Sequence, residues 1–262
     1  MEMPHTVSKG DEADRTLEQR GDLLAQPIGV RVAALDWTAL GEALDARGCA
    51  TTGPILSPEE CREVIALYGR RERFRSKIDM ARHNFGSGEY QYLAYPLPRL
   101  VAALRRRFYE CLAPTANRWA AALGGTTYPA DLKTFLEACH AQGQARPTPL
   151  ILRYQAGDFN CLHQDLYGEI AFPLQVAICL SRKDVDFTGG EFLLVEQRPR
   201  AQSRGEAIAL EQGRAIIFAN RYRPVAGKRG TFRTSLRHGV SRLLSGERYT
   251  LGLIFHDAEQ RQ

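Results

Sequence analysis

The segment Arg153-Tyr154-Gln155-Ala156-Gly157-Asp158-Phe159-Asn160-Cys161-Leu162-His163-Gln164-Asp165 carries the clearest chemical signal in the 262-residue chain. Residues two apart on an extended strand share a face, so His163 and Asp165 point the same way. An imidazole and a carboxylate so placed can take two neighbouring positions on one metal ion. A third ligand has to come from a distant part of the chain, and six histidines are available. His5 lies in a polar N-terminal stretch, His83 and His140 lie among helical patterns, and His256 is nearly terminal. His238, within Leu236-Arg237-His238-Gly239-Val240-Ser241-Arg242-Leu243, falls 238 − 165 = 73 residues after Asp165 in a strand-like run, and is the choice. Two imidazoles and one carboxylate leave three octahedral positions open, the arrangement typical of non-haem Fe(II) sites.

Arg248 follows His238 by ten residues, and Tyr154 precedes His163 by nine. An HxD pair, a distant His, an Arg ten positions on and a Tyr nine before the first His together resemble the Fe(II)/2-oxoglutarate-dependent dioxygenase superfamily. The resemblance implies that His163, Asp165 and His238 form the catalytic centre and hold Fe(2+). It implies that Arg248 pairs with the distal carboxylate of 2-oxoglutarate, that Tyr154 and Thr250 add hydroxyl donors, and that O2 is the oxidant. A planar guanidinium suits that task because its fork holds a carboxylate through two hydrogen bonds.

Three blocks narrow the likeness: Arg153-Tyr154 with Asn160 to Glu169, Thr188 to Phe192 with Glu196 to Arg200, and Leu236 to Ser241. Together they are similar to a bacterial, prolyl-4-hydroxylase-like family described as catalysing oxidative demethylation of damaged nucleic acid. The likeness covers about residues 30–258. The ten-residue His-to-Arg interval is the prolyl-hydroxylase pattern. Leu152-Arg153-Tyr154 and Arg248-Tyr249-Thr250-Leu251-Gly252 keep the Tyr and first Arg of AlkB-type demethylases, without their Asn and second Arg. The implied reaction hydroxylates a C–H bond and releases succinate and CO2; on an N-methyl group the same step ends in demethylation. A protein side chain or small molecule as substrate, or a non-catalytic 2-oxoglutarate and metal sensor, are the alternatives.

The elements that must position these residues follow from hydrophobic patterning. Residues 1–27 are polar without periodicity and read as a flexible arm, and 28–262 as one domain. Ser57-Pro58-Glu59-Glu60 has the signature of a capping box, and Cys61, Val64, Ile65 and Tyr68 then form one helical face. A second face runs through Leu100, Val101, Leu104, Phe108 and Cys111, and shorter helices are expected over 116–123 and 132–141. A helical part is thus expected over 28–147. Beyond Pro149 come short runs rich in Ile, Val, Leu, Phe and Tyr, separated by turns such as Ala156-Gly157-Asp158 and Thr188-Gly189-Gly190. They predict a jelly-roll part over 148–258. The expected class is α+β: a double-stranded β-helix (jelly roll) core with N-terminal helices packed on one sheet.

Composition sets the surroundings. With 35 basic and 30 acidic side chains the formal charge is +5. From Arg198 to Arg248 eleven Arg and one Lys face three Glu, a local balance of 12 − 3 = +9 that suits an anionic partner, nucleic acid included. The six cysteines have no CxxC pair and read as reduced thiols. No run approaches the length of a membrane-spanning helix, and the N-terminus lacks a secretory pattern, so a cytoplasmic protein with no membrane contact is expected. Arg153, Cys161, Tyr167 and the Arg82–Tyr90 loop are the candidates to meet a substrate. Arg105-Arg106-Arg107 reads as a solvated run.

Overall fold

The computed structural model describes residues 23–165, 168–228 and 230–259. Most of the expected arm, through residue 22, and Tyr167 lie outside the described residues. The helices are α1 (Ile28–Ala33), α2 (Trp37–Arg47), α3 (Pro58–Leu67), α4 (Arg99–Leu123) and α5 (Leu132–Ala141). The strands are β1 (Cys49–Pro54), β2 (Phe74–Asp79), β3 (Gly86–Ser87), β4 (Glu89–Leu93), β5 (Gln144–Arg146), β6 (Leu150–Gln155), β7 (Phe159–His163) and β8 (Leu174–Cys179). They continue with β9 (Phe187–Gly189), β10 (Phe192–Gln197), β11 (Arg204–Ile208), β12 (Arg214–Ala219), β13 (Tyr222–Gly227), β14 (Gly230–Val240), β15 (Leu243–Leu253) and β16 (Ala258–Glu259).

Two antiparallel sheets face one another. The larger runs β1-β12-β8-β15-β6-β4-β2 with β9 on β15; the smaller runs β11-β10-β14-β7-β3 with β13 on β14. Phe218 of the larger sheet meets the His238 ring of the smaller at 4.6 Å between centroids. The outer face of the larger sheet (Ile151, Val176, Ile178, Leu251, Leu253) joins Leu44, Leu104 and Phe108 of the helices in one buried cluster. This is an α+β jelly roll with its helices on one sheet, as expected.

Local signals explain several elements. Ser57 accepts from the Glu60 N–H and the Glu60 carboxylate accepts from the Ser57 N–H, so the capping box forms. Glu60 also takes Arg31 as a partner at 2.6 Å, tying α3 to α1. Where two helices were expected, α4 runs unbroken through Pro114. An interior proline costs about 3 kcal/mol. Burying Leu112 and Trp119 on the same stripe, at roughly 1.5–3 kcal/mol for a large apolar side chain, offsets it.

The stretch before residue 147 also supplies β1, β2, β3 and β4, which patterning alone assigned to helices and loops. The cause is composition: β1 and β2 end the larger sheet, where polar side chains are favoured, and β2 carries exposed Lys77 and Asp79. Only β4 kept a legible alternation, in Tyr90 and Tyr92.

Arg105 overturns the expectation of a solvated arginine run. It is 1% exposed. It donates to the carbonyls of Ile254 (3.0 Å) and Phe255 (2.8 Å) and to Asp257 Oδ1 (2.8 Å). It follows Val101 and Leu104 on the buried face, so helical periodicity dictates the position. Asp257 also accepts from Tyr95 at 2.9 Å and meets His140 Nε2 at 2.9 Å. This fully satisfied network pins the chain after β15 to α4.

Beside it His256 is buried, and its Nδ1 accepts from the Phe172 N–H at 3.2 Å. Burial, then the nearby Arg105 charge, lowers its pKa from 6.5 to about 4. The folded chain therefore refuses a proton that the unfolded chain accepts. Stability should hold above pH 6.5 and fall as pH drops toward 4, by on the order of 3 kcal/mol if the shift is fully expressed. Urea midpoints across that window check this; His256→Gln should flatten the dependence, and an unchanged slope would contradict it.

Candidate active site

The ladder between β7 and β14 puts His163 directly opposite His238. Gly239 makes this approach possible, because a Cβ there would meet the Asn160 carbonyl at 2.6 Å. Asp165 lies just past the end of β7. Its backbone N–H donates to Asn220 Oδ1 at 3.0 Å, and Gln164 Nε2 donates to the Leu236 carbonyl at 2.7 Å. These bonds hold the carboxylate between the two rings: His163 Nε2 is 3.4 Å from Oδ1 and His238 Nε2 is 3.3 Å from Oδ2. One ligand atom from each of the three residues lies within 4.8 Å of the others. Of the other histidines, His140 binds Asp257 in the Arg105 network and His256 is buried beside that network.

The electrostatics favour a cation among them. Burial pushes the Asp165 carboxyl up, but hydrogen bonds from His163 and His238 outweigh it and hold it well below the usual carboxylate range. Burial lowers the His238 pKa, while at His163 the same effect is overcome by Asp165, which raises it. His163 Nδ1 lies 2.8 Å from the Cys161 carbonyl, which can only accept, so Nδ1 donates and Nε2 is the nitrogen directed at Asp165. The His238 ring packs on Phe218 with centroids 4.6 Å apart and lies parallel to Phe192, at 9° with centroids 6.0 Å apart. The three donors thus have fixed orientations, two imidazole nitrogens and one anionic oxygen, the set that suits Fe(II).

They line a cavity of about 360 Å³, within the roughly 300–1,000 Å³ common for small-molecule sites. Its opposite wall is the inner face of the larger sheet, and strand register orders that wall in rows. Arg248 stands opposite Tyr154; Thr250 is flanked by Cys179 and Leu152; Gly252 is flanked by Ala177 and Leu150. Tyr90 and Tyr92 extend the last two rows on β4. Arg248 is 2% exposed, forms no ion pair among the described residues, and has Nε and Nη1 without hydrogen-bond partners. Tyr154 Oη and Thr250 Oγ1 are likewise buried without partners. An uncompensated buried guanidinium costs several kcal/mol, so this end of the cavity is built to receive an anion with acceptor oxygens.

Other expected contacts divide. Cys161 lines the cavity, as do Asn84, Phe85 and Tyr90 of the expected loop, whose Gly86 and Ser87 pair with β7. Arg153 does not: it faces outward and binds Glu247 at 2.6 Å and Glu89 at 3.2 Å, because strand alternation turns it away from Tyr154. Three side chains that sequence reasoning did not single out also matter. Gln164 and Asn220 orient the loop that carries Asp165, and Gln175 lines the cavity. Only Gln175 left a trace in the sequence, as the one polar residue in the run Phe172-Pro173-Leu174-Gln175-Val176-Ala177-Ile178.

Comparisons with known proteins place this geometry. Residues 88–258 match the model of a family described as "Oxygenase, catalysing oxidative methylation of damaged DNA". Uncharacterized proteins of two Mycobacterium tuberculosis strains are 54% identical over 164 residues, 62% of this chain and 70% of theirs. Among solved structures, a Phytophthora capsici prolyl 4-hydroxylase aligns over 88% of this chain and 64% of its own, at 15% identity and a TM-score of 0.50. A Pseudomonas putida prolyl-4-hydroxylase aligns over 86% of this chain and 100% of its own, at 13% identity and a TM-score of 0.48. The chain belongs to the oxygenase family that residues 88–258 match, and is an oxidoreductase.

The clustered donors predict one Fe(II) bound per chain under anaerobic titration. Asp165→Ala should weaken binding by more than about 100-fold, beyond the usual cost of losing an outer-shell partner. Cys161→Ser, which leaves the three donors in place, should change it less than about twofold; equal losses in both variants would refute the donor assignment.

Proposed function

We propose that the protein is an Fe(II)- and 2-oxoglutarate-dependent dioxygenase that hydroxylates a C–H bond of alkylated nucleic acid, ending in oxidative demethylation. His163, Asp165 and His238 hold the ferrous ion. Arg248, Tyr154 and Thr250 take the far carboxylate of 2-oxoglutarate. When bound, the ferrous ion supplies the redox chemistry by which O2 converts 2-oxoglutarate to succinate and CO2 while one oxygen atom enters the substrate C–H bond. The chain's own residues hold the far end of the cosubstrate and enclose it: Arg248 fixes the distal carboxylate, and Leu150, Leu152 and Phe218 keep the intervening wall apolar. The observation that carries the reading is the buried, unpaired Arg248 guanidinium, across the same cavity from the histidine–aspartate cluster.

Nucleic acid as substrate is supported by the family description and by charge. Arg221, Arg233, Arg237 and Arg242 are exposed and, among the described residues, have no carboxylate partner. Arg221 and Arg233 flank the Tyr222 ring at 4.6 and 5.8 Å. Phosphates suit such a surface. A cytoplasmic setting is supported by six free thiols. No helix among the described residues is long and apolar enough to cross a membrane.

Purified protein with Fe(II), ascorbate and 2-oxoglutarate under air should form succinate. Arg248→Ala should raise the 2-oxoglutarate requirement about ten- to a hundredfold, the scale of a lost charge-assisted pair, with iron binding retained. A methylated oligonucleotide should accelerate turnover, release formaldehyde and bind less tightly as salt rises. Succinate formation that no methylated DNA or RNA stimulates would overturn the substrate; absence of succinate despite bound iron and 2-oxoglutarate would favour a sensor.

A further inference from the structure

Register places one more polar side chain in the cavity wall. On β8, Cys179 stands opposite Thr250 and Ala177 opposite Gly252, so Gln175 comes one inward-facing row beyond Gly252. Its neighbour across β12 is Phe218, the ring that packs on His238. The wall therefore has a charged end and a metal-side end. Arg248, Tyr154 and Thr250 occupy the first. Gln175 stands at the second, about two row spacings, or roughly 13 Å, along the sheet from Cys179.

Gln175 is 4% exposed, it lines the cavity, and its Nε2 has no hydrogen-bond partner. An amide buried without a partner costs about 1–3 kcal/mol, and its inward neighbours Ala177, Gly252 and Phe218 carry no polar side-chain atom. Which carboxamide atom is nitrogen is an assignment made from its surroundings. In either orientation the carboxamide belongs to the wall of the cavity that His163, Asp165 and His238 also line.

We propose that Gln175 is a binding residue of this site: its carboxamide N–H donates to the metal-side carboxylate of 2-oxoglutarate, the end opposite the one that Arg248 holds. The inference rests on the proposed function and adds a second protein anchor to it. A keto acid held at one end by a guanidinium can still pivot about that end. A donor at the other end fixes which carboxylate oxygen is turned to the metal. Gly252, whose added Cβ would meet Leu150 at 2.8 Å, leaves the wall between the two anchors without a side chain.

The test is anaerobic titration of 2-oxoglutarate into the Fe(II)-loaded protein, followed by the visible charge-transfer band of the chelated keto acid. The wild-type protein has to give a saturable band; if it does not, the proposed function itself fails, before Gln175 is in question. Gln175→Met keeps the length of the side chain and removes the donor. It should raise the dissociation constant of 2-oxoglutarate about ten- to a hundredfold, as expected for a lost hydrogen bond to a charged group, with Fe(II) affinity and melting temperature held. Gln175→Glu sets a carboxylate against the cosubstrate and should weaken it further, which keeps the test open should the methionine variant not fold. Unchanged 2-oxoglutarate affinity in either folded variant would overturn the proposal.

Discussion

One largely enclosed carboxylate organises the candidate site of this fold. Asp165 stays ionised against the pull of its burial because His163 Nε2 and His238 Nε2 lie 3.4 and 3.3 Å from its two oxygens. Those nitrogens arrive together because β7 and β14 pair in one register, which a slip of one residue would turn outward. Gly239 permits the close pairing, and Asn220 and Gln164 fix the loop that follows. Side chains from two segments 238 − 165 = 73 residues apart in sequence are thus brought to a single point by the pairing of β7 and β14.

The facing wall follows the opposite logic. Where the Asp165 carboxylate has both imidazoles as partners, Arg248, Tyr154, Thr250 and Gln175 each leave a polar atom unsatisfied. A fold tolerates buried polar atoms without partners only where the rest of the structure compensates, and they concentrate where a ligand completes them. The Arg105–Asp257 network is the contrast within the same molecule. It too is a buried charge, but every group in it has a partner, and it fastens helix to sheet rather than waiting for a ligand.

The two halves of the chain were unequally legible. Strand periodicity after Pro149 and the spacing of His163, Asp165, His238 and Arg248 carry both the jelly roll and the proposed chemistry, because a metal site needs fixed residue types and register needs period two. β1, β2 and β3 were hidden because edge positions do not require alternating apolar residues, as Lys77 and Asp79 in β2 illustrate. Arg105 read as solvated because its type outweighed its helical position, and Arg153 read as near the site although alternation turns it outward. Gln175 escaped notice because an isolated glutamine in an apolar strand does not tell which cavity it lines until its neighbours across the sheet are known.

The account stands or falls on two imidazoles and one carboxylate sharing a single ion. X-ray absorption at the iron edge of the anaerobic Fe(II)-loaded protein reads that directly. It should give an all nitrogen-and-oxygen shell with the multiple scattering of two imidazoles, and the shell should change when 2-oxoglutarate is added. A sulfur scatterer, or fewer than two imidazoles, would contradict it.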